Sequence, residues 1–259
     1  MPSSVPAPPP AAGQVFGERL PVAESFVERL AVGGIERGLL GPREAPRLWD
    51  RHVLNCAVVA EAIPRTGERQ RLVDVGSGAG LPGLAIAIAR PDLEVHLVEP
   101  LSRRTAWLRE TVQALGLDAV TVHTARAESL WGRLDAPWVT ARAVAGILQL
   151  AQWTLPLLAR GGTLLALKGS RAGAELEEAR RALTRLGVVR MGVEELGADL
   201  LVEATTVLRL GIDAPVDLRR FRRQEPSSSG SARRRSDRRR QAGGRDARPG
   251  AARGHRAGA

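Results

Sequence analysis

Residues 71–75, RLVDV, are mostly apolar and are followed by a run of glycines and small residues, GSGAG, after which Leu81 opens an apolar stretch of helical length. This pattern predicts a short buried strand, a tight turn and a helix over 81–90. The alternation then continues. Residues 94–98 predict a second strand ending in Glu99, and 102–115 a helix with Trp107, Leu108, Val112 and Leu115 on one face. Residues 119–123 predict a third strand and 138–142 a fourth. A helix over 146–159, a turn at Gly161-Gly162, a strand over 163–168 and a helix over 174–186 follow. Residues 188–194 and 201–210 read as two consecutive strands with a short turn near Gly197. Strands alternating with helices imply a parallel sheet covered on both faces, closed here by a reversed hairpin.

The same pattern divides the chain. Residues 1–13 are mainly proline, alanine and serine, which predicts a disordered leader. Residues 14–65 form a helical N-terminal extension. Phe26, Leu30 and Ile35 recur at helix-compatible spacing, glycines at 33, 34, 38 and 41 punctuate, and Asp50 is expected to cap a second helix running through Val59. Residues 66–212 form the core. Residues 213–259 are a basic disordered tail, holding ten arginines against three acids from Gln224 onward. Such a tail adds sequence-independent RNA affinity, or is a translated extension without a role.

Gly76, Gly78 and Gly80 remove side chains from the strand-to-helix turn and let backbone approach a ligand. Two cofactor classes fit. Gly78 to Gly83 satisfy G-x-G-x-x-G, the dinucleotide fingerprint. The other frame sets Asp74 two residues ahead of Gly76-Ser77-Gly78-Ala79-Gly80, and a carboxylate there suits the cationic amino group of a methionyl moiety better than a pyrophosphate. Glu99 lies about 20 residues beyond the glycines, where nucleotide-binding folds place an acid for the ribose hydroxyls. Both ligands carry that ribose. The loop at Ala127 and Glu128 is expected to touch adenine.

The fourth strand ends in Thr140-Ala141-Arg142-Ala143, and the fifth delivers Lys168 to the same sheet edge. There is no Asn-Pro-Pro-Tyr-like set for an exocyclic amine and no Pro-Cys nucleophile for a pyrimidine ring. Lys168 is the only lysine among 38 basic residues and tyrosine is absent, a bias that looks like a GC-rich coding genome. His52 in the extension reads first as a packing or capping residue and second as a site residue.

Composition bounds the rest. A chain of 259 residues with 44% hydrophobic content fits one domain plus tails. The single cysteine, Cys56, argues against a disulfide framework and a cysteine-ligated metal, and points to a reducing cytoplasm. No stretch reaches the roughly 18 apolar residues of a membrane span, and no signal peptide is expected.

Residues from about Trp49 to Leu210 resemble the ribosomal small subunit methyltransferase G family, also called glucose-inhibited division protein B. The matching stretches are RHVLN, LVDVGSGAGLPGL, LVEPLSRRTAWLRE, RAES, TARA and LALKG. The resemblance implies a class I S-adenosylmethionine (SAM) dependent methyltransferase fold, α/β and Rossmann-like, with a mostly parallel seven-stranded sheet. It implies methylation of guanine N7 in a decoding-region loop of 16S rRNA, with SAM as cofactor and the small ribosomal subunit as partner; separately, the chain is expected to act as a monomer in the cytoplasm, with no metal. It places Gly76, Leu81, Ala127, Glu128 and Arg142 around SAM. The residues themselves add Asp74, Gly78 and Glu99 to the cofactor set. Arg142 and Lys168 are expected at the chemistry, Arg142 orienting cofactor or guanine and Lys168 meeting RNA phosphate or O6. A nicotinamide oxidoreductase and a non-catalytic RNA-binding protein are the other two readings.

Overall fold

The computed structural model describes residues 5–142 and 145–222. The first four residues of the expected leader, Ala143, and the arginine-rich tail from Gln224 lie outside the described residues.

Seven strands form one sheet: β1 Arg71–Val75, β2 Glu94–Glu99, β3 Val120–Thr124, β4 Ala136–Arg142, β5 Leu158–Leu167, β6 Arg190–Leu196 and β7 Thr205–Gly211. Their order across the sheet is β3-β2-β1-β4-β5-β7-β6. The first five are parallel, and β7 runs antiparallel to both β5 and β6. The expected closing hairpin is therefore present. Chain order reverses at β1, whose neighbours are β2 on one side and β4 on the other, and the crevice beyond such a switch point is where open α/β sheets bind ligands.

In β1, Leu72 and Val73 enter two different apolar clusters, one on each face of the sheet. The Leu72 face is covered by the N-terminal extension, by α4 Gly83–Ala89 and by α5 Ser102–Ala114; the Val73 face is covered by α6 Ile147–Thr154 and α7 Ala172–Arg185. The last helix among the described residues, α8 Leu218–Arg222, brings Phe221 edge-on to Trp131.

The extension comprises α1 Pro10–Phe16, α2 Leu20–Arg29, wide turns at Leu30–Gly34 and Leu48–Leu54, and a short regular turn, α3 Asn55–Ala57. Buried polar contacts tie it to the sheet. The Arg90 guanidinium donates to the carbonyls of Ala60 and Ile63, the Thr205 hydroxyl to that of Asn55, and the Gly197 N–H to the Glu61 carboxylate.

Four expectations need correction. Residues 10–13 are the start of α1 rather than disordered leader: Pro10 fits a first helical turn, and Ala12 and Phe16, four apart, both bury. Trp49 extends this ordering by donating to the Pro6 carbonyl at 2.9 Å. Asp50 stands inside the Leu48–Leu54 turns and makes no capping hydrogen bond. The helix expected over 81–90 starts at Gly83, because Leu81 still belongs to the glycine turn. Gly161-Gly162 form a bulge within β5 rather than a turn before it. Leu158 pairs with Ala136 while Thr163 pairs with Trp138, and Gly161 takes the positive φ of 73° that this excursion requires.

Gly83 packs at the centre of this arrangement. A β-carbon there would stand 2.3 Å from Leu97 Cδ2 and 2.7 Å from Asp74 Oδ2. Gly83→Ala is expected to lower unfolding free energy by about 1–3 kcal/mol through overpacking; urea denaturation would check this, and unchanged stability would contradict the packing described.

Candidate active site

The glycine turn sits directly above a buried acid. Asp74 is inaccessible to solvent: Oδ1 accepts from the Thr140 hydroxyl of β4 at 3.0 Å, and Oδ2 from the Gly83 N–H at 3.2 Å. The Ser77 hydroxyl donates to the Asp74 carbonyl at 2.9 Å. Burial pushes the Asp74 carboxyl up to about 6, against the pull of Ser77, Thr140, Gly83 and the Arg142 charge. Asp74 thus does not present its carboxylate to a ligand as the sequence suggested. Both oxygens are turned inward, and it supports the turn from below.

The turn's donors are also committed. The N–H groups of Gly76 and Ser77 donate to the Val98 carbonyl, those of Gly80 and Leu81 to the Ser77 carbonyl, and that of Gly78 to Glu99 Oε2 at 3.1 Å. Gly76, Gly78 and Gly80 all have positive φ, at 75°, 55° and 101°. A pyrophosphate needs free N–H groups, and these five are already taken. The open side suits a ligand that packs on Cα surface beside the Gly76 carbonyl oxygen. A β-carbon on Gly78 would meet nothing nearer than the Gly76 carbonyl oxygen at 3.7 Å, so that side is free of side chains. The Trp107 indole N–H, donating to the Ala79 carbonyl at 3.1 Å, anchors the turn from α5.

Glu99 lies beside the turn, as expected. Its side chain is buried, Oε1 accepts from the Leu101 N–H at 3.1 Å, and Arg104 stands 3.6 Å from Oε2. Ala127, buried, and Glu128, half-buried, open a short helical turn past β3, and the Ala125 N–H donates to the Glu99 carbonyl. The residues fit SAM: a turn bare of side chains at Gly78, a carboxylate ending β2 beside it, and a short helical turn at Ala127 and Glu128 past β3.

On the other flank of β1, Arg142 ends β4. Its guanidinium donates to His52 Nδ1 at 2.7 Å and to Cys56 Sγ at 3.1 Å, while His52 Nε2 lies 2.7 Å from Glu44 Oε2. Arginine can only donate, so Nδ1 must accept, and the His52 proton is on Nε2, donated to Glu44. Burial, reinforced by the Arg142 charge, lowers the His52 pKa and keeps it neutral, although Glu44 opposes this; the hydrogen bond from His52 in turn lowers Glu44. Burial also raises the Cys56 pKa, leaving a neutral thiol. The chain Glu44, His52, Arg142 sets the direction of the arginine.

Arg142 and Lys168 line one cleft of about 630 Å³, together with His52, Asn55 and Thr206. Lys168 stands just past the end of β5 with its N–H on the Thr206 carbonyl. The two residues expected at the chemistry are brought together there, and the cofactor set gathers around the glycine turn at the same ends of β1 and β2. Glu44, Cys56, Thr140 and Gly83 were not assigned to the site from sequence. Only Gly83 carried a local signal, as the last glycine of the turn.

A family model described as rRNA small subunit methyltransferase G (GidB) matches residues 19–202. The chain is 54% identical over 205 residues to the ribosomal RNA small subunit methyltransferase G of Pseudarthrobacter chlorophenolicus, covering 79% of this chain and 94% of that one. It is 52% identical over 210 residues to the protein of the same name from Thermobifida fusca, covering 81% and 87%. Among solved structures, a Corynebacterium glutamicum protein matches with a TM-score of 0.50 at 18% identity, over 73% of this chain and 90% of that one, a likeness of fold alone.

The raised pKa of Asp74 means that the fold favours its neutral form; that contribution is full below about 4 and is lost as pH rises through about 6. Asp74→Asn, which stays neutral and can still bond Gly83 and Thr140, should gain on the wild type across this window by roughly 2–3 kcal/mol. Denaturation at pH 4 and pH 8 checks it; the same stability gap at both pH values would contradict the burial argument.

Proposed function

The chain belongs to the rRNA small subunit methyltransferase G family, and from this we propose that it transfers the methyl group of SAM to N7 of a guanine in a decoding-region loop of 16S rRNA. Its fold is that of a class I SAM-dependent methyltransferase. One observation within the site carries the choice of cofactor: the N–H groups that a dinucleotide pyrophosphate would need are bonded internally, two of the acceptors being Glu99 for Gly78 and Asp74 for Gly83. The nicotinamide reading is not favoured.

The chemistry asks little of the protein beyond placement. SAM supplies an electrophilic methyl group on a sulfonium. Guanine N7 has an in-plane lone pair and no proton at neutral pH, so it attacks without a general base, and the leaving thioether is neutral and needs no acid. Holding nucleophile and donor in line supplies on the order of 7–11 kcal/mol. We assign the turn at Gly76, Gly78 and Leu81 to the methionyl end, Glu99 to the ribose hydroxyls, and Ala127 with Glu128 to the adenine. Asp74 acts from beneath the turn, through its charge and its support of Gly83.

Arg142 and Lys168 meet the guanine. The N7 and O6 edge is a pair of acceptors that cationic donors fit. Arg142, held by neutral His52 and ionised Glu44, orients the base, and Lys168 donates to O6. The small ribosomal subunit is the partner, and the arginine-rich tail adds affinity for RNA phosphate. The buried thiol of Cys56 suits a cytoplasmic protein. Among the described residues no helix is long and apolar enough to cross a membrane, and no group of His, Cys, Asp and Glu could hold a metal ion.

Incubating the protein with SAM and small subunits lacking the modification should yield N7-methylguanine in 16S rRNA by mass spectrometry of nuclease digests. Arg142→Ala is expected to lower that rate by about 10²-fold or more. Near-normal turnover of the variant would remove Arg142 from the chemistry.

A further inference from the structure

Lys168 does not face the cleft as a free cation. Its ammonium lies 2.8 Å from Glu175 Oε2 and donates to the Ala145 carbonyl at 3.3 Å, with the side chain only 13% exposed. An ammonium has three protons. With two directed at these partners, the third is left for the cleft. Glu175 is in the first turn of α7 and itself lines the cleft, so the carboxylate and the lysine border the same space.

The charge balance of methyl transfer gives this pair a purpose. The N7 lone pair forms the new N–C bond while the C–S electron pair returns to sulfur; no proton moves, and one unit of positive charge passes from sulfur to the purine. An uncompensated ammonium at O6 would oppose that charge as it develops. At about 5 Å and an effective dielectric near 20, the repulsion against the full product charge is roughly 10²-fold in equilibrium, and the share developed in the transition state is roughly tenfold in rate. A carboxylate on the ammonium keeps the hydrogen bond to O6 and removes most of the penalty. We propose that Glu175 is a positioning residue for the methyl transfer, aiming the third N–H of Lys168 at guanine O6 and cancelling the lysine charge that would otherwise disfavour the N7-methylated cation. This deepens the guanine-N7 reading of the cleft and rests on it. Arg142 is backed in the same way, by Glu44 through His52.

The test uses the full chain and small ribosomal subunits. Glu175→Gln preserves size and an acceptor for Lys168 but removes the charge. It should slow single-turnover methylation at saturating SAM and subunits by about tenfold, with calorimetric affinity for SAM unchanged. It should also lower the affinity for N7-methylated subunits relative to unmethylated ones, an equilibrium measure that a merely structural tie between α7 and β5 would not alter. Glu175→Asp should restore most of the rate, and in a Lys168→Met background Glu175→Gln should have no further effect. A wild-type rate for Glu175→Gln, or an equal loss in the Lys168→Met background, would overturn the proposal and leave the functional reading standing. A wild-type protein that forms no N7-methylguanine in 16S rRNA would overturn both.

Discussion

The carboxylate of Asp74 joins three elements that have to meet for a site to exist. It belongs to β1, accepts from Thr140 on β4 and accepts from Gly83 at the start of α4. A buried charge without partners would be too costly to keep, so the strand pair, the turn and the helix start are constrained together. Gly83 can be no larger, because Asp74 and Leu97 occupy the space a β-carbon would need. Thr140 must face inward, which places Arg142, two residues on along the same face of β4, at the sheet end beside the turn. The raised pKa of Asp74 shows that this junction is held at some expense of stability.

Around that junction, charges are paired off before any ligand arrives. Glu99 takes the Gly78 N–H and lies near Arg104, Glu44 reaches Arg142 through a neutral His52, and Glu175 takes the Lys168 ammonium. A site built this way backs its two cationic donors, Arg142 and Lys168, with carboxylates. That suits a reaction in which positive charge moves from sulfur to purine, and it suits poorly a reaction that requires an anion to be gripped by bare backbone N–H groups.

Much of this was legible along the chain, because it depends on local period. The strand, turn and helix around the glycines, the acid ending β2 and the final hairpin all follow from residue spacing, and Arg142 and Lys168 follow from their positions at strand ends. What was not legible depends on contacts between distant segments. His52 and Arg142 are 90 residues apart, and Cys56 and Arg142 are 86 apart, so no window along the sequence joins them. The direction of the Asp74 carboxylate was misjudged for the same reason: its strongest partner outside the turn, Thr140, lies on another strand. The order in residues 5–13 was missed because it comes from docking Ala12 and Phe16 and from Trp49 holding Pro6, whereas composition alone suggested a leader.

The central claim is that the glycine turn is closed to pyrophosphate and open to a methionyl cation, and calorimetric titration of the purified protein with SAM, with NADH as the comparison ligand, tests it most directly. The account predicts saturable, one-to-one binding of SAM and no heat of binding with NADH. Binding of NADH in place of SAM would show that the N–H groups of Gly78 and Gly83 can be released from their carboxylates, and would contradict the account at its base.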